Sequence, residues 1–159
     1  MGVGHNFSPG FRDRRVKMNL ADLLHDKNQD VIKIKANDSI ADAAISLTEN
    51  KIGALLVQDD SGTIVGILSE RDIVGGMGPH GADLHDVPVS ELMTADLIKC
   101  APEDTVLEAM AMMTDRRIRH LPVFKGDELM GVISVGDLVK CRISEVQAEA
   151  EAMRQYISS

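Results

Sequence analysis

The 159-residue sequence has few aromatic side chains, with no Trp, one Tyr and three Phe. Proteins that bind single-stranded nucleic acid stack the bases on aromatic rings, so this shortage argues against such a partner. Basic residues are also outnumbered, with 17 Lys and Arg against 25 Asp and Glu and a formal net charge of -8. An acidic chain is repelled by phosphate backbones and anionic lipid. We therefore expect neither nucleic acid nor a membrane as the main partner.

Cysteine is scarce as well, because only Cys100 and Cys141 are present and they form no CxxC pair. Two distant cysteines favour reduced thiols over a disulfide framework. No apolar run approaches the ~20 residues of a membrane-spanning helix, and no apolar signal segment opens the chain. These features predict a cytoplasmic protein of one domain, or of two small halves that share one core.

Two segments, residues 66–72 and 131–137, follow the pattern Gly-x-x-Ser-x-x-Asp. Each reads as the end of an apolar strand, a serine that can cap a helix, and an aspartate three residues later. A variant capping box, in which the hydroxyl and the carboxylate satisfy free amides, explains one such corner. A binding role is also open, because helix amides favour an anion and the carboxylate can accept hydrogen bonds from sugar hydroxyls.

These two corners lie in a longer repeated frame. Residues 20–24 match 89–93, and strand-like segments at 31–34 and 97–100 each precede a helix with apolar residues at i, i+3, i+4 and i+7. Two strand-like segments joined by a polar turn then lead into each corner. The order strand–helix–strand–strand–helix is present twice, and one such unit buries little apolar surface alone. We predict an α/β (α+β) fold in which two pseudo-symmetric repeats pack through their sheets, followed by a C-terminal helix.

The frame also predicts domain boundaries. The Gly-rich residues 75–81 lack a phosphate-loop pattern, so we expect a flexible connector there. After the second corner, apolar residues recur at spacings of four and three, as in helices that pack in pairs on their own domain or on a second copy. This seam consists of Val139, Ile143, Val146, Ala150, Met153 and Ile157. The expected divisions are an N-terminal tail with a basic cluster at 1–17, a first repeat at 18–76, a linker at 77–87, a second repeat at 88–143 and a helical extension at 144–159.

Two copies of this unit, each ending in Gly-x-x-Ser-x-x-Asp, resemble a pair of cystathionine-β-synthase (CBS) domains, or Bateman module. Residues 66–74 and 117–123 are especially similar to small stand-alone bacterial CBS-pair proteins, and the resemblance covers residues 18–143. It implies a non-catalytic regulatory module that senses AMP, ADP, ATP, NAD(H) or S-adenosylmethionine. It also implies a homodimer, with an output through self-association or an unidentified regulated protein.

In such modules the ligands lie in two clefts between the repeats. The resemblance implies that the corner aspartates take the ribose hydroxyls, that the corner serines bind nearby ribose or phosphate oxygens, and that apolar residues hold the adenine. One cleft then combines Ser134 and Asp137 with Ile32, Ile52, Gly53 and Val132. The other combines Ser69 and Asp72 with Thr94, Leu97, Ile98, Ile67, Ile118 and His120.

Arg119 is the strongest candidate for a phosphate contact. Strand alternation places it on the same face as Leu121 and Val123, so we expect it on the buried side, where a cation needs an anion. We predict a ligand phosphate approached from both clefts, with help from Arg71 and His120; an ion pair with Asp or Glu is the alternative. The first repeat has no basic residue at the matching position, so the clefts are expected to differ.

Two other functions stay open. An enzyme acting on nucleotides needs a nucleophile and a base, for which Cys100 and His120 are conceivable members. An oligomerisation scaffold with vestigial clefts is the other, although the full set of corner residues argues against it. We predict no metal site, since His80 and His85 lie in the connector and histidines in such loops are mostly solvated.

Overall fold

A computed structural model of the protein describes residues 18–158. The basic cluster predicted in the tail lies outside the described residues. The mixture of helices and strands confirms the predicted α+β class. In chain order the elements are α1 (Leu20–Lys27), β1 (Lys33–Lys35), α2 (Ile40–Asn50), β2 (Ala54–Gln58), β3 (Ile64–Ser69), α3 (Glu70–His80), a 3-10 helix (Gly81–Asp86), α4 (Val89–Leu92), α5 (Val106–Arg116), β4 (His120–Lys125), β5 (Glu128–Ser134) and α6 (Val135–Ser158).

The matched helices α2 and α5 form for the same local reasons. The Ser39 hydroxyl accepts a hydrogen bond from the Asp42 amide at 3.1 Å, and the Thr105 hydroxyl accepts one from the Glu108 amide at 3.1 Å. These caps satisfy amides that have no partner inside the helix. As the apolar period predicts, one face of each helix is buried, through Ile40, Ala43 and Leu47 in α2 and Val106, Ala109 and Met113 in α5.

The two sheets differ in their first strand. In the first repeat β1 runs parallel to β2, which pairs antiparallel with β3. The second sheet contains only β4 and β5, and the strand predicted at 97–100 is reduced to a bridge between Cys100 and Val123. The reason lies in the partner strand. The Leu56 amide donates to the Ile32 carbonyl at 3.3 Å, whereas the matching residue is Pro122, which has no N–H to donate.

The short helices α1 and α4 are exchanged between the cores. Leu20 and Leu23 of α1 are buried in the core of the second repeat, together with Leu121 and Ile133. Conversely, Val89 at the start of α4 is buried in the core of the first repeat. Each core is thus completed by a segment that belongs, in sequence, to the other repeat.

The Gly-rich connector, which was expected to be flexible, is helical in the structure. Helix α3 continues to His80, and the 3-10 helix follows directly. Gly76 is buried, and a Cβ there would lie 2.6 Å from Leu92 Cδ1 and 2.9 Å from Leu84 Cδ1. The glycine therefore serves close packing of helices rather than backbone flexibility.

Helix α6 packs on the second repeat only over its first turns. Leu138 is fully buried, and the Cys141 thiol contacts Met18 Sδ at 3.3 Å. Further along, the apolar seam is exposed, with relative exposures of 48% for Val146, 66% for Met153 and 80% for Ile157. The predicted extension is thus a helix whose apolar stripe has no cover within the described chain.

Candidate functional site

Two clefts open between the repeats, one at each corner. The Asp72 cleft has a volume of about 180 Å³ and the Asp137 cleft about 430 Å³. Helix α3 begins at the first corner and α6 at the second, so each cleft has a helix N-terminus in its wall. An N-terminus offers free amides and a partial positive charge to an anion.

Both corners form a capping box, which confirms the structural interpretation of the pattern. The backbone amides of Ser69 and Ser134 each donate to Oδ2 of their aspartate at 2.9 Å. In return the serine hydroxyls accept from the amides of Asp72, at 3.4 Å, and Asp137, at 3.1 Å. Within residues 18–158, Oδ1 of both aspartates accepts no hydrogen bond. The cap therefore occupies one carboxylate oxygen and leaves the other for a ligand.

The glycine that opens each corner permits a close approach by the exchanged segment. A Cβ on Gly131 would lie 2.6 Å from Leu24 Cδ2, and one on Gly66 would lie 2.7 Å from Met93 Sδ. Leu24 and Met93 are matching residues of the repeated frame, so the same contact occurs at both corners. This packing fixes where α1 and the segment after α4 enter the clefts.

The Asp137 cleft contains a cation that the sequence analysis missed. Lys27 Nζ donates to Asp137 Oδ2 at 2.7 Å and to the Val132 carbonyl at 3.0 Å. Burial raises the pKa of Asp137, but hydrogen bonds from Lys27 and Ser134 outweigh it and hold the pKa below its ordinary value. The aspartate is therefore ionised at neutral pH.

The Asp72 cleft has a different set of charges. Arg71 Nη1 donates to the Arg117 carbonyl at 3.2 Å, and Arg71, Arg117 and Arg119 all line this cleft, as does Asp96. Arg119 is exposed, so the expectation of a buried arginine was wrong. Within residues 18–158 it forms no ion pair, and it lines only this cleft rather than both. Strand β4 begins one residue later, so strand alternation does not govern its side chain.

His120 lies between the two clefts and lines both. Its ring faces Gly53 of the other repeat, where a Cβ would lie 3.0 Å from Nε2. Burial lowers the pKa of His120 below its ordinary value, and the nearby Glu70 carboxylate only partly offsets that effect. The imidazole is therefore neutral at physiological pH and separates the clefts without adding charge.

The structure brings most of the expected residues together. The expected apolar and glycine partners of Asp137 (Ile32, Ile52, Gly53 and Val132) line its cleft. Around Asp72 the cleft is lined by Ser69, Ile67, Thr94, Ile98, Ile118 and His120, while the half-buried Leu97 lies outside it. Lys27, Asp96 and Arg117 were missed. No local motif marks Lys27, because its place in the cleft depends on the packing of α1 on the second repeat.

Cys100 does not belong to either cleft. Its side chain is 5% exposed, and its thiol contacts the Pro122 carbonyl at 3.6 Å. Burial and the nearby Asp104 carboxylate raise the pKa of the Cys100 thiol to about 11. A thiol that stays protonated is a poor nucleophile, which removes Cys100 as a catalytic candidate.

Residues 18–158 contain no group of three or more His, Cys, Asp or Glu side chains arranged to hold a metal ion. Across the same residues, no helix combines the length and the apolar character needed to cross a bilayer.

Comparison with known sequences identifies the repeated unit. The family model of the CBS domain matches twice, at residues 21–78 and 89–144. A curated relative, the mitochondrial CBS domain-containing protein CBSX3 of Arabidopsis thaliana, is 36% identical over 125 residues, which cover 76% of this chain. The match spans 61% of that relative's length.

Solved structures share the architecture. A CBS-domain containing protein from Agrobacterium tumefaciens superposes with a TM-score of 0.76 at 40% identity, covering 78% of this chain and 92% of that one. A hexameric CBS-CP12 protein from bloom-forming cyanobacteria has a TM-score of 0.69 at 29% identity, covering 78% and 67%. The CBS domain pair of protein MJ0100, in complex with 5′-methylthioadenosine and S-adenosyl-L-methionine, has a TM-score of 0.70 at 22% identity, covering 81% and 98%, which shows the shared fold.

Proposed function

The chain belongs to the CBS domain family, and from that premise we propose that it is a non-catalytic module that senses an adenine nucleotide. The observation that carries the proposal is the pair of corner carboxylates. Each has one oxygen fixed by the helix cap and one without a protein partner, in a cleft beside a helix N-terminus. The cytoplasmic location expected from the sequence stays a prediction.

The arrangement suits the three parts of a nucleotide. A cis-diol donates two hydrogen bonds, which match a carboxylate oxygen that lacks a donor. Helix amides and the nearby cations suit a phosphate, namely Arg71 and Arg119 in one cleft and Lys27 in the other. Isoleucines line both clefts and offer an apolar slot for a base; they are Ile67, Ile98 and Ile118 around Asp72, and Ile32 and Ile52 around Asp137.

The test is ligand-induced stabilisation of the purified protein. AMP, ADP, ATP, NAD+, NADH and S-adenosylmethionine are added separately while the melting temperature is recorded. A ligand at 100 times its dissociation constant stabilises the native state by about 2.7 kcal/mol, which is readily detected. If none of the six raises the melting temperature, the sensor proposal is wrong and a scaffold with vestigial clefts is the better description.

Asp72→Asn and Asp137→Asn assign the binding to a cleft. Since the serine amide still needs an acceptor, the asparagine oxygen turns to it, and an NH2 replaces the carboxylate oxygen that would accept from the ribose. We expect each variant to weaken binding in its own cleft at least tenfold, since a hydrogen bond to a charged group contributes about 1.5–3 kcal/mol. Asp60→Asn, in the exposed turn before β3, is the matched control. Recovery of the nucleotide unchanged after long incubation separates a sensor from an enzyme.

We further propose that the module is a homodimer paired through the α6 seam. Residues beyond Val146 are exposed on every side, and an isolated helix of this length is marginal in water without a packed face. The seam spacing assigns Ile143, Ala150 and Ile157 to heptad a positions and Val139, Val146 and Met153 to d positions. Parallel pairing then puts Glu149, at g, opposite Arg154 at e of the second copy, twice by symmetry.

Two matched substitutions that each introduce a charge test this surface. Ala150→Glu places a carboxylate in the seam, whereas Ala148→Glu places it on the opposite face of α6. We expect sedimentation to show a monomer for the first and a dimer for the second. Ala150→Cys should form a disulfide between the two copies on oxidation, because parallel pairing places residue 150 of one copy against residue 150 of the other. In an antiparallel dimer that keeps the apolar layers, residue 150 lies against Val146 instead, so that the two cysteines do not meet. A wild-type protein that stays monomeric at high concentration would contradict the proposal.

A further inference from the structure

Lys27 and Asp96 each lie three residues after the side chain that packs on a corner glycine, and they carry opposite charges. In the repeated frame residues 20–24 match 89–93, and the contacts of Leu24 and Met93 with the two corner glycines show that this match holds in space. Beyond these residues the backbones differ, because α1 continues to Lys27 whereas α4 ends at Leu92. Lys27 lines the Asp137 cleft, and Asp96 lines the Asp72 cleft. The segment that packs on each corner therefore brings a cation to one cleft and an anion to the other.

The Lys27 side chain is held in place next to the corner. It is 23% exposed, and its ammonium makes two hydrogen bonds, to Asp137 Oδ2 and to the Val132 carbonyl. An ammonium has three donors, and the third has no acceptor among residues 18–158. In the other cleft the matching carbonyl, that of Ile67, accepts instead from the Thr94 amide at 2.8 Å, so no cation is needed there.

We propose that Lys27 determines the specificity of the Asp137 cleft by selecting a nucleoside that carries a phosphate on its sugar. This inference rests on the proposed function. If the unpartnered oxygen of Asp137 holds the diol, Lys27 provides a positive charge and a spare N–H beside the same sugar. A phosphate is bound there, an uncharged nucleoside gains nothing from the ammonium, and a sulfonium on the sugar is repelled.

The Asp72 cleft does not depend on Lys27 for its charge. There the segment after α4 contributes Asp96, and the basic residues of the cleft, which are Arg71, Arg117 and Arg119, come from other parts of the chain. Substitution of Lys27 therefore changes ligand choice in one cleft and leaves the other unchanged.

Calorimetry with adenosine, AMP and S-adenosylmethionine tests the inference in one cleft at a time. Asp72→Asn removes binding in the Asp72 cleft, and Lys27→Met is introduced into this Asp72→Asn background. We expect the affinity for AMP to fall ~10-fold or more, the affinity for adenosine to change by less than ~3-fold, and the affinity for S-adenosylmethionine to rise. Lys35→Met in the same background is the control, because Lys35 is an exposed lysine that lines neither cleft.

The outcomes separate the inference from the proposed function. If Lys27→Met leaves the ratio of AMP affinity to adenosine affinity unchanged, the inference is wrong and the sensor proposal stands. The same holds if the Asp137 cleft binds none of the three ligands while the Asp72 cleft binds one. Equal loss of AMP and adenosine shows a merely structural lysine. Binding to neither cleft of the wild-type protein overturns the proposed function together with the inference. Lys27→Arg should keep a preference for AMP, because the positive charge is retained.

Discussion

The two corners share their local geometry and differ in nearly everything around it. Both have the same capping box and a Ser-to-Asp Oδ2 hydrogen bond of 2.9 Å. Around them, Gly53 matches Arg119 and Arg71 matches Gly136, while Lys27 lines one cleft and Asp96 the other. The repeated motif thus builds the helix start and the carboxylate. The charge of each cleft comes from residues outside the motif, so the two clefts can diverge in ligand without any change in fold.

The cores show the same division between a shared plan and local differences. Each is closed by the exchanged segment of the other repeat, α1 for the second core and α4 for the first. The first sheet keeps a regular third strand, while Pro122 reduces the matching strand of the second sheet to one bridge. The second half therefore depends more on α1.

The largest expected effect comes from Leu20→Ala. Leu20 is fully buried in the core of the second repeat, and such truncations cost about 2–5 kcal/mol in the free energy of unfolding. We expect hydrogen exchange to show lost protection first in β4 and β5, although Leu20 belongs to the first repeat in sequence. Val89→Ala should instead reduce protection from hydrogen exchange first in β2 and β3. Equal loss in both sheets for both variants would show that the cores unfold as one unit.

A smaller difference is expected between the corner glycines. A Cβ on Gly66 would meet the Thr94 carbonyl oxygen at 3.0 Å as well as Met93, whereas the three atoms nearest to a Cβ on Gly131 all belong to the flexible Leu24 side chain. Backbone atoms move less readily than a side chain, so Gly66→Ala should be the more destabilising variant, within the ~1–3 kcal/mol typical of overpacking. Urea unfolding measures both. A larger loss for Gly131→Ala would refute this ranking.

The smallest expected effect is a pH dependence at the boundary between the clefts. Burial lowers the pKa of His120 from its ordinary value of 6.5, despite Glu70 and Asp137, while Lys27 and Arg119 lower it further. Below pH 6.5 His120 is therefore protonated in the unfolded chain but still neutral in the folded chain. The free energy of unfolding thus falls as pH drops below 6.5 towards the folded-state pKa.

Urea unfolding at several pH values between 7.5 and 5.5 tests this slope. His120→Gln should have a shallower decline than the wild type, because glutamine does not titrate. His85→Gln is the control, since the exposed His85 side chain, at 64% exposure, should leave the slope unchanged. Parallel slopes for wild type and His120→Gln would rule out the assignment to His120.

Much of the fold and of the candidate site was predictable, because its signals are local and occur twice. The helix period of α2 and α5, the serine and threonine caps and the corner pattern depend on residues within a few positions of one another. Their recurrence predicted the repeat architecture and, through the family resemblance, most residues that line the clefts. The short polar turns before β3 and β5 likewise needed no tertiary information.

The tertiary structure alone decided the rest. Lys27 and Asp137 are 110 residues apart, and their ion pair exists because α1 packs on the opposite core. The strand expected at 97–100 needed a donor from residue 122, which is proline. Arg119 is exposed because β4 begins one residue after it. The sequence by itself therefore determined the repeated elements and the corner caps, which form from neighbouring residues, whereas long-range packing determined which charges face each cleft.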